Sequence, residues 1–405
     1  MRNPSQHPVG PLTGITVLAL EQALAGPLCT RHLGDMGARV IKIERTGGGD
    51  LARSYDTTVH GNSSYFVWLN RGKESVALDL KHPAAAGILQ ALVRQADVVV
   101  QNLAPGAADR LGVGPDQVLA SYPEKIYCSI SGYGEGGPYE QRKAFDLLLQ
   151  GETGVIATTG NGEDLAKVGI SVGDIGAGVY GAMAILGALL ERNRTGLGQH
   201  VQSSLFDALS EWMGYPLYFT MYGGTPPARA GVRHATVVPY GAYRCGDGDQ
   251  VLLAVQSDLH WRNFCQIVLE RPEWIDDLRF NTVPNRRINR DDLESAIEAI
   301  FQQWDRSEVN RRLEQADIPS GDLNTIAQFA EHPQLISRDR WVTVDVPGGT
   351  MQALRPPFGF EAFESPMGAV PAVGSHTAAV LTELGWDAAT IAELAANGAI
   401  GIVSS

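Results

Sequence analysis

Two hydrophobic periods alternate along the first third of the chain. Short runs rich in β-branched residues predict buried strands at 14–20, 39–44, 97–102 and 125–131. Apolar residues at helical spacing predict helices at 26–38 and 82–96. Strands that alternate with helices in this way favour a parallel α/β sheet, whose ligands bind at the carboxyl ends of the strands.

A longer helix is predicted from Val172 to about Leu190. The apolar residues that recur there at helical spacing are Ile175, Val179, Met183, Leu186 and Leu190. Glycines would let another backbone approach closely at Gly176, Gly178, Gly181 and Gly187. We therefore expect a buried helix with one carboxylate, that of Asp174, at its start.

The pattern changes after about residue 225. It predicts a hairpin within 241–255, an amphipathic helix at 292–304, a second hairpin within 341–358 and a helix at 376–385. We predict an α/β fold in which a Rossmann-like large domain is built from N- and C-terminal segments and joined by a smaller α+β domain. The limits are 1–224 for the first part of the large domain, 225–330 for the small domain, and 331–405 for a linker and the return to the large domain.

Composition narrows the class of protein. Of 405 residues, 44% are hydrophobic and 19% charged, as in a soluble globular enzyme. The net charge of −13 argues against nucleic acid as a partner. The four cysteines show no C-x-x-C spacing, and neither a signal peptide nor a run of about 18 apolar residues is found. We expect a reduced, cytoplasmic protein with no metal and no membrane partner.

Asp174 admits two interpretations. Asp is a favoured helix N-cap, where its side chain accepts a backbone hydrogen bond worth about 1 kcal/mol. A carboxylate at a helix start beside small residues could also attack a carbonyl, with nearby N–H groups stabilising the oxyanion. One oxygen can cap while the other attacks, so both stay open.

Other motifs are weaker. Gly132, Gly134 and Gly137 formally match G-x-G-x-x-G, but they follow a later strand and precede a proline, so a Gly-rich loop near an active site or a surface turn fits better than a dinucleotide site. No histidine spacing suggests a zinc site and no G-x-S-x-G elbow occurs, which excludes zinc and serine hydrolases.

Basic residues gather between Arg39 and Lys81, where seven cations face five acidic residues. Such clusters are usually solvated faces. The cations that are placed to meet phosphates are Arg45, Arg71 and Lys73, to which Arg110 and Lys143 could add.

Six stretches in order resemble the family III CoA-transferases: 14–45, 64–83, 96–112, 129–146, 172–201 and 373–385. The resemblance implies two interlocked chains in a homodimer and places the family's nucleophilic aspartate on Asp174, in "VGD-x-x-x-G". It implies an aspartyl anhydride followed by an aspartyl-CoA thioester, with CoA thioesters as substrates and no permanently bound cofactor. The implied CoA contacts are Leu24, Ala25, Arg45, Leu78, Lys81, Asn102, Arg110 and Lys143.

Departures from relatives bear on the reaction. Formyl-CoA transferases carry Gln where this chain has Leu24, and 231–243 lacks their glycine-rich loop, which argues against formate and oxalate. Racemases of the same fold carry a histidine where this chain has Phe145, which favours transferase over racemase. This chain lacks the glycine fingerprint that an NAD-linked oxidoreductase needs, which argues against that class. A CoA-binding protein without catalysis remains an open alternative.

By overall similarity the chain resembles transferases that move CoA from succinyl-CoA to itaconate, mesaconate or citramalate. The second carboxylate of such an acid would need a cation. The candidates are Arg229, Arg233 and His234, which are equally well explained as exposed loop charges.

Overall fold

A computed structural model of the protein describes residues 10–402. The strands are β1 Thr16–Leu20, β2 Arg39–Glu44, β3 Glu74–Leu78, β4 Val98–Gln101, β5 Ile126–Ser131, β6 Gly160–Asn161, β7 Asp164–Leu165, β8 His200–Ser204, β9 Tyr240–Arg244, β10 Gln250–Ala254, β11 Ser320–Asp322, β12 Trp341–Val346, β13 Gly349–Leu354 and β14 Ile400–Gly401.

The helices are α1 Ala25–Asp35, α2 Ser64–Asn70, α3 Ala85–Gln95, α4 Ala107–Arg110, α5 Pro115–Ser121, α6 Asp146–Glu152, α7 Val155–Thr158, α8 Val172–Thr195, α9 Leu205–Trp212, α10 Gly214–Gly223, α11 Asp258–Asn263, α12 Val283–Ile288, α13 Arg290–Phe301, α14 Arg306–Gln315, α15 Ile326–Ala330, α16 Pro333–Ile336, α17 Thr377–Glu383 and α18 Ala388–Ala396. A π-helical turn at Phe264–Val268 and 3₁₀ turns at Leu51–Ser54 and Pro272–Ile275 complete the set.

The chain folds as two compact units. The larger contains the residues up to 153, then 169–213, and those from 336 onward; the smaller contains 154–168 and 214–335. The sequence predicted a small domain from 225 to 330 and placed 154–168 in the large domain. This segment belongs to the smaller unit because Gly231 donates to the Gly160 carbonyl at 2.8 Å and the Arg229 guanidinium donates to the Gly162 carbonyl at 2.7 Å.

A seven-stranded sheet forms the centre of the larger unit, in the order β14-β3-β2-β1-β4-β5-β8. All neighbouring pairs are parallel except β14 with β3. Its strands are almost wholly buried, as expected for a parallel sheet covered on both faces. The predicted α/β sheet, with a C-terminal return through β14, is confirmed.

Chain order in the sheet reverses at β1, since the chain passes from β1 through α1 to β2 on one side and reaches β4 on the other. In open α/β sheets the crevice at this reversal, outside the carboxyl ends of the strands, is where ligands bind. The turn after β1 and the residue after β4 lie there.

Helix α8 packs against α1 through its glycines. A Cβ on Gly178 would lie 2.6 Å from the Ala25 carbonyl oxygen, and one on Gly181 would lie 3.1 Å from Ile130 Cδ1. The predicted close approach of another backbone is therefore confirmed at Gly178. At Gly181 the neighbours are the side chains of Ile130 and Cys29, and for Gly187 the prediction is wrong, since a Cβ there would meet nothing within 4 Å.

The prediction of a buried apolar stripe on α8 is wrong for three of its members. Val179, Met183 and Leu190 are exposed in the single chain, by 43%, 58% and 72%. The buried side is instead the one that carries most of the glycines and alanines, together with Ile185 and Leu189. Although α8 is long and apolar enough to cross a membrane, half of its apolar window is buried in the fold, which is consistent with the core helix of a soluble protein.

The smaller unit is α+β. Its three-stranded antiparallel sheet has the order β11-β10-β9, and α11, α13 and α14 contribute to a separate core with Tyr243, Trp261 and Phe301. The first predicted hairpin is formed by β9 and β10. The second is formed by β12 and β13 and lies in the larger unit.

Candidate active site

The turn after β1 is held from two sides. On one side the Asn102 side chain, just beyond β4, accepts from the Gln22 N–H and donates to the Gln22 carbonyl, each at 2.9 Å. On the other side Asp50 accepts from the Ala23 N–H at 2.9 Å. Ala23 has a left-handed backbone, with φ of 62°. The Asn102 amide, predicted to contact CoA, thus uses both of its polar ends to shape this turn.

Helix α1 begins directly after the turn with its first N–H groups uncapped. Leu24 is the residue at the N-cap position and provides no side-chain hydrogen bond, and Pro27 in the first turn has no N–H. Leu24 and Ala25 are buried. The start of α1 therefore offers positive helix-end charge at the sheet crevice without a side-chain acceptor from the described chain.

Asp174 lies in the first turn of α8 and close to the start of α1. Ile175, its neighbour, packs against Leu24. Gly178, one helical turn further on, presses on the Ala25 carbonyl. The close packing that the α8 glycines permit therefore brings the carboxylate and the uncapped α1 start to the same place.

Asp174 is not the cap of α8. Ser171 occupies the N-cap position, and Asp146 on α6 accepts from the N–H groups of Gly173 and Asp174 at 2.7 and 3.4 Å. The capping interpretation of Asp174 is therefore wrong. So is the expectation that the start of α8 supplies free N–H donors, because the Asp146 carboxylate takes them.

The Asp174 carboxylate has no hydrogen-bond donor or cation as a partner among residues 10–402. Burial, and then the negative charge of Asp146, raise the pKa of Asp174 to about 7. At neutral pH this carboxyl is therefore only partly ionised. Its charge also reaches Tyr55, whose pKa is raised by burial and by Asp50 and Asp174.

Asp146 is the site residue that sequence reasoning missed. Gln150, fully buried, donates to its second carboxylate oxygen at 2.7 Å. Phe145, the residue before Asp146, is 68% exposed and carries no acid or base. The signal available in the sequence was an acidic residue, Asp146, directly after Phe145.

Four cations stand along the carboxyl edge of the sheet. Arg45 follows β2, Lys81 follows β3, Arg110 ends α4 after β4, and Lys143 follows β5. All four are exposed, and none has a carboxylate partner within the described part of the chain. Leu78 is the last residue of β3, where the C-terminal strand holds it in register with Ile400. The arrangement suits a ligand with several phosphates.

The other predicted phosphate contacts are occupied. Arg71 makes two hydrogen bonds to Asp35. Lys73 is buried and donates to Glu21 at 2.7 Å. The expectation that Arg71 and Lys73 meet phosphates is therefore wrong, because carboxylates remote in sequence neutralise them inside the fold.

The Gly-rich loop after β5 lies at the same carboxyl edge as Asp146. A Cβ on Gly132 would lie 2.1 Å from Ala144 Cβ, so the loop folds back tightly on itself. Tyr133 and Tyr139 meet edge-on with 5.4 Å between ring centroids, and Arg142 covers Tyr139 at 3.6 Å. These contacts fix the loop that carries Lys143.

The three candidate acceptor residues lie together in the smaller unit. Arg229 donates to two carbonyls, and Arg233 pairs with Glu294 and Glu298. His234 stacks on Tyr240 at 5.0 Å, and burial and then Arg290 lower its pKa. Both guanidinium groups therefore already have hydrogen-bond or ion-pair acceptors within this unit.

Among residues 10–402, no group of three or more His, Cys, Asp and Glu side chains is placed to hold a metal ion. The cysteines Cys29, Cys128, Cys245 and Cys265 are free thiols and buried.

Comparison with known proteins agrees with this fold. The model of CoA-transferase family III matches residues 12–377. The succinate–glutarate CoA-transferase of Agrobacterium fabrum is 33% identical over 94% of this chain and 97% of its own. The succinyl-CoA:mesaconate CoA-transferase of Haloarcula hispanica is 35% identical over 93% and 97%. A crystal structure of a CAIB/BAIF family protein from Brucella suis, 33% identical, superposes with a TM-score of 0.80 over 93% of this chain and 99% of that one. The chain belongs to CoA-transferase family III.

Proposed function

We propose that the protein moves CoA from succinyl-CoA to a short dicarboxylic acid, with Asp174 as the covalent nucleophile. The observation that carries the proposal is the state of this carboxylate. It is the one site carboxylate with no donor bound to it among the described residues, and it lies beside the uncapped start of α1. Asp146, in contrast, is used as a helix cap.

The first half of the reaction releases the donor acid. The Asp174 carboxylate attacks the thioester carbonyl, a C–O bond forms, and the C–S bond breaks to give an aspartyl anhydride and CoA thiolate. The thiolate then attacks the aspartyl carbonyl, which expels succinate and leaves an aspartyl-CoA thioester. The oxyanion of each addition step is stabilised by the free N–H groups at the α1 start, near Leu24 and Ala25.

The second half repeats these steps in reverse with the acceptor. Its carboxylate attacks the aspartyl-CoA thioester and displaces CoA thiolate, which then attacks the acceptor carbonyl of the new anhydride and frees Asp174. A partly buried nucleophile suits these steps, because a carboxylate with few hydrogen bonds loses little solvation when it attacks. Phe145 offers no group to move an α-proton, which is the observation against the racemase alternative.

CoA phosphates are the partners that the four edge cations fit. Arg45, Lys81, Arg110 and Lys143 are exposed, have no carboxylate partner within residues 10–402, and follow β2, β3, β4 and β5 in chain order. Phosphate groups spaced along an extended ligand would meet them in turn.

A dicarboxylic acceptor is supported by the names of relatives, which act on glutarate and mesaconate. Itaconate and citramalate are of the same class. Arg229, Arg233 and His234 stay candidates for the second carboxylate; of these, His234 has no carboxylate partner within the described residues.

A cytoplasmic homodimer completes the proposal. Helix α10 has no buried residue, and five of its large apolar side chains are exposed: Tyr215, Leu217, Tyr218, Met221 and Tyr222. The exposed stripe on α8 adds to the apolar surface of the chain. Surfaces of this kind are typical of faces covered by a second chain. Light scattering coupled to size exclusion should give twice the mass of the chain.

The function is tested by incubating the protein with succinyl-CoA and a panel of acids: glutarate, mesaconate, itaconate, citramalate, oxalate and acetate. New CoA thioesters are followed by mass. We expect thioesters of one or more of glutarate, mesaconate, itaconate and citramalate, and not of oxalate, with the parent and with D345N, which alters an exposed aspartate on β12, and none with D174N. Turnover by D174N at the parent rate would contradict the proposal. Failure of every acid, with racemisation of a branched acyl-CoA, would favour the racemase.

A further inference from the structure

Four charged side chains are buried beneath the turn after β1. Lys42 Nζ lies 2.7 Å from Asp50 Oδ2 and 3.3 Å from Glu21 Oε1, and Lys73 Nζ lies 2.7 Å from the same Glu21 oxygen. All four are at most 4% exposed. Burial opposes the charge of Lys42, but the charges of Glu21 and Asp50 outweigh it and raise its pKa.

This cluster is poorly explained as a source of stability. Moving two pairs of charges out of water costs more than a well-packed apolar replacement would, and such replacements are often neutral or stabilising. Its hydrogen bonds suggest another role. Glu21 is the first residue after β1, where the turn begins. Asp50 binds the backbone of the turn by accepting from the Ala23 N–H.

Both oxygens of Asp50 are committed. Oδ1 accepts from the N–H groups of Ala23 and Ala52, each at 2.9 Å, while Oδ2 is held by Lys42. Lys42 thus holds the Asp50 carboxylate in the orientation that places an oxygen at the Ala23 N–H. Ala23 has φ of 62°, a conformation that a residue with a Cβ rarely adopts without an external constraint.

The turn sets the direction of the α1 start. Leu24 follows Ala23 directly and α1 begins at Ala25. If Ala23 relaxed to a negative φ, the N–H groups of Leu24 and Ala25 would point elsewhere. Asn102 alone would not prevent this, because its hydrogen bonds reach only Gln22.

We propose that Asp50, oriented by Lys42, is a positioning residue that keeps Ala23 left-handed and so aims the first N–H groups of α1 at the CoA thioester. The proposal rests on the proposed function in that the ligand at the α1 start is taken to be a CoA thioester. Neither Asp50 nor Lys42 touches the substrate.

Two charge-neutral double variants test it. K42M/D50N removes both charges but keeps a carbonyl oxygen that accepts from Ala23, whereas K42M/D50L removes the acceptor as well. We expect K42M/D50N to stay within about threefold of the parent in the Kd for a ketone analogue of succinyl-CoA, in which a methylene group replaces the thioester sulfur, and K42M/D50L to bind this analogue at least about tenfold more weakly. We expect the KM for the acyl-CoA to rise and kcat to fall, since the donors serve both binding and the oxyanion.

A second pair reaches the same turn without altering the buried charges. Valine is disfavoured at positive φ and glycine is not. A23V should therefore weaken binding of the analogue by about tenfold or more, and A23G should leave it close to the parent.

The ketone analogue, which keeps the carbonyl but cannot transfer CoA, is titrated by calorimetry, and folding is checked by circular dichroism. Equal affinity for the analogue in the two double variants, or in A23V and A23G, would overturn the proposal; if K42M/D50L does not fold, the alanine pair decides. If the parent binds the analogue and K42M/D50L does not, but the parent transfers CoA to no acid, the proposed function is refuted and the positioning role stands.

Discussion

Replacing Asp174 with Asn should stabilise the folded protein above neutral pH. Burial raises the pKa of this carboxyl from 3.8 to about 7, with Asp146 adding to the effect. Each pH unit of displacement is worth about 1.4 kcal/mol, so the ionised carboxylate costs the fold up to about 4 kcal/mol. Water reaches part of the side chain and screens its charge, so we expect D174N to gain about 2 to 4 kcal/mol at about pH 8.

The sign follows from proton binding. Between pH 3.8 and about 7 the folded protein keeps a proton on Asp174 that the unfolded chain releases, so this residue's contribution to stability falls as pH rises. The advantage of D174N over the parent should therefore be small near about pH 4, grow through that window and level off above about pH 7.

Urea unfolding of parent and variant, at equal protein concentration and across this pH range, measures the difference. D345N, with its exposed aspartate on β12, is the control and should show no such rise. A difference between D174N and parent that does not change with pH, or a D174N protein less stable than the parent at about pH 8, would refute the assignment of a buried, uncompensated carboxylate.

Two further predictions follow from the surroundings of Asp174. D146N keeps an oxygen to cap α8 but removes a negative charge, so the pKa of Asp174 should fall and the acid limb of kcat/KM, expected near about pH 7 in the parent, should move to lower pH; a limb that stays in place would contradict this. G178A places a Cβ 2.6 Å from the Ala25 carbonyl and should cost about 1 to 3 kcal/mol in unfolding experiments. Its matched control G187A, where a Cβ meets nothing within 4 Å, should gain about 0.5 to 1 kcal/mol. Equal effects of these two helix substitutions would contradict the described packing of α8.

Local pattern predicted part of the sheet. The β-branched runs and their order predicted β1, β2, β4 and β5 but not β3, β8 or β14. The glycines of α8 predicted the close approach of another backbone, which at Gly178 is that of α1. Periodicity alone could not identify the buried face of α8, because the helix carries a stripe of large apolar residues and a side of small ones. Which side faces α1 depends on the space available, which only the packed structure shows.

The electrostatics of the site lay beyond local pattern because its partners are remote in sequence. Asp146 caps α8 from 27 positions before Gly173, and Lys73 is neutralised by Glu21 from 52 positions away. Asp174 could be placed at a helix start from the sequence, but its raised pKa depends on burial by α1 and on the charge of Asp146. The family resemblance pointed to Asp174 as the nucleophile. The structure showed that its carboxylate has no hydrogen-bond donor or cation as a partner among residues 10–402.

The most direct test of the account is the identity of the residue that becomes acylated. The protein is incubated with succinyl-CoA, treated with hydroxylamine, digested and mapped by mass spectrometry. We predict a hydroxamate on Asp174, formed only when the acyl-CoA is present and absent in D174N. Labelling of another carboxylate such as Asp146, or CoA transfer without any labelled aspartate, would contradict the claim that Asp174 is the covalent nucleophile.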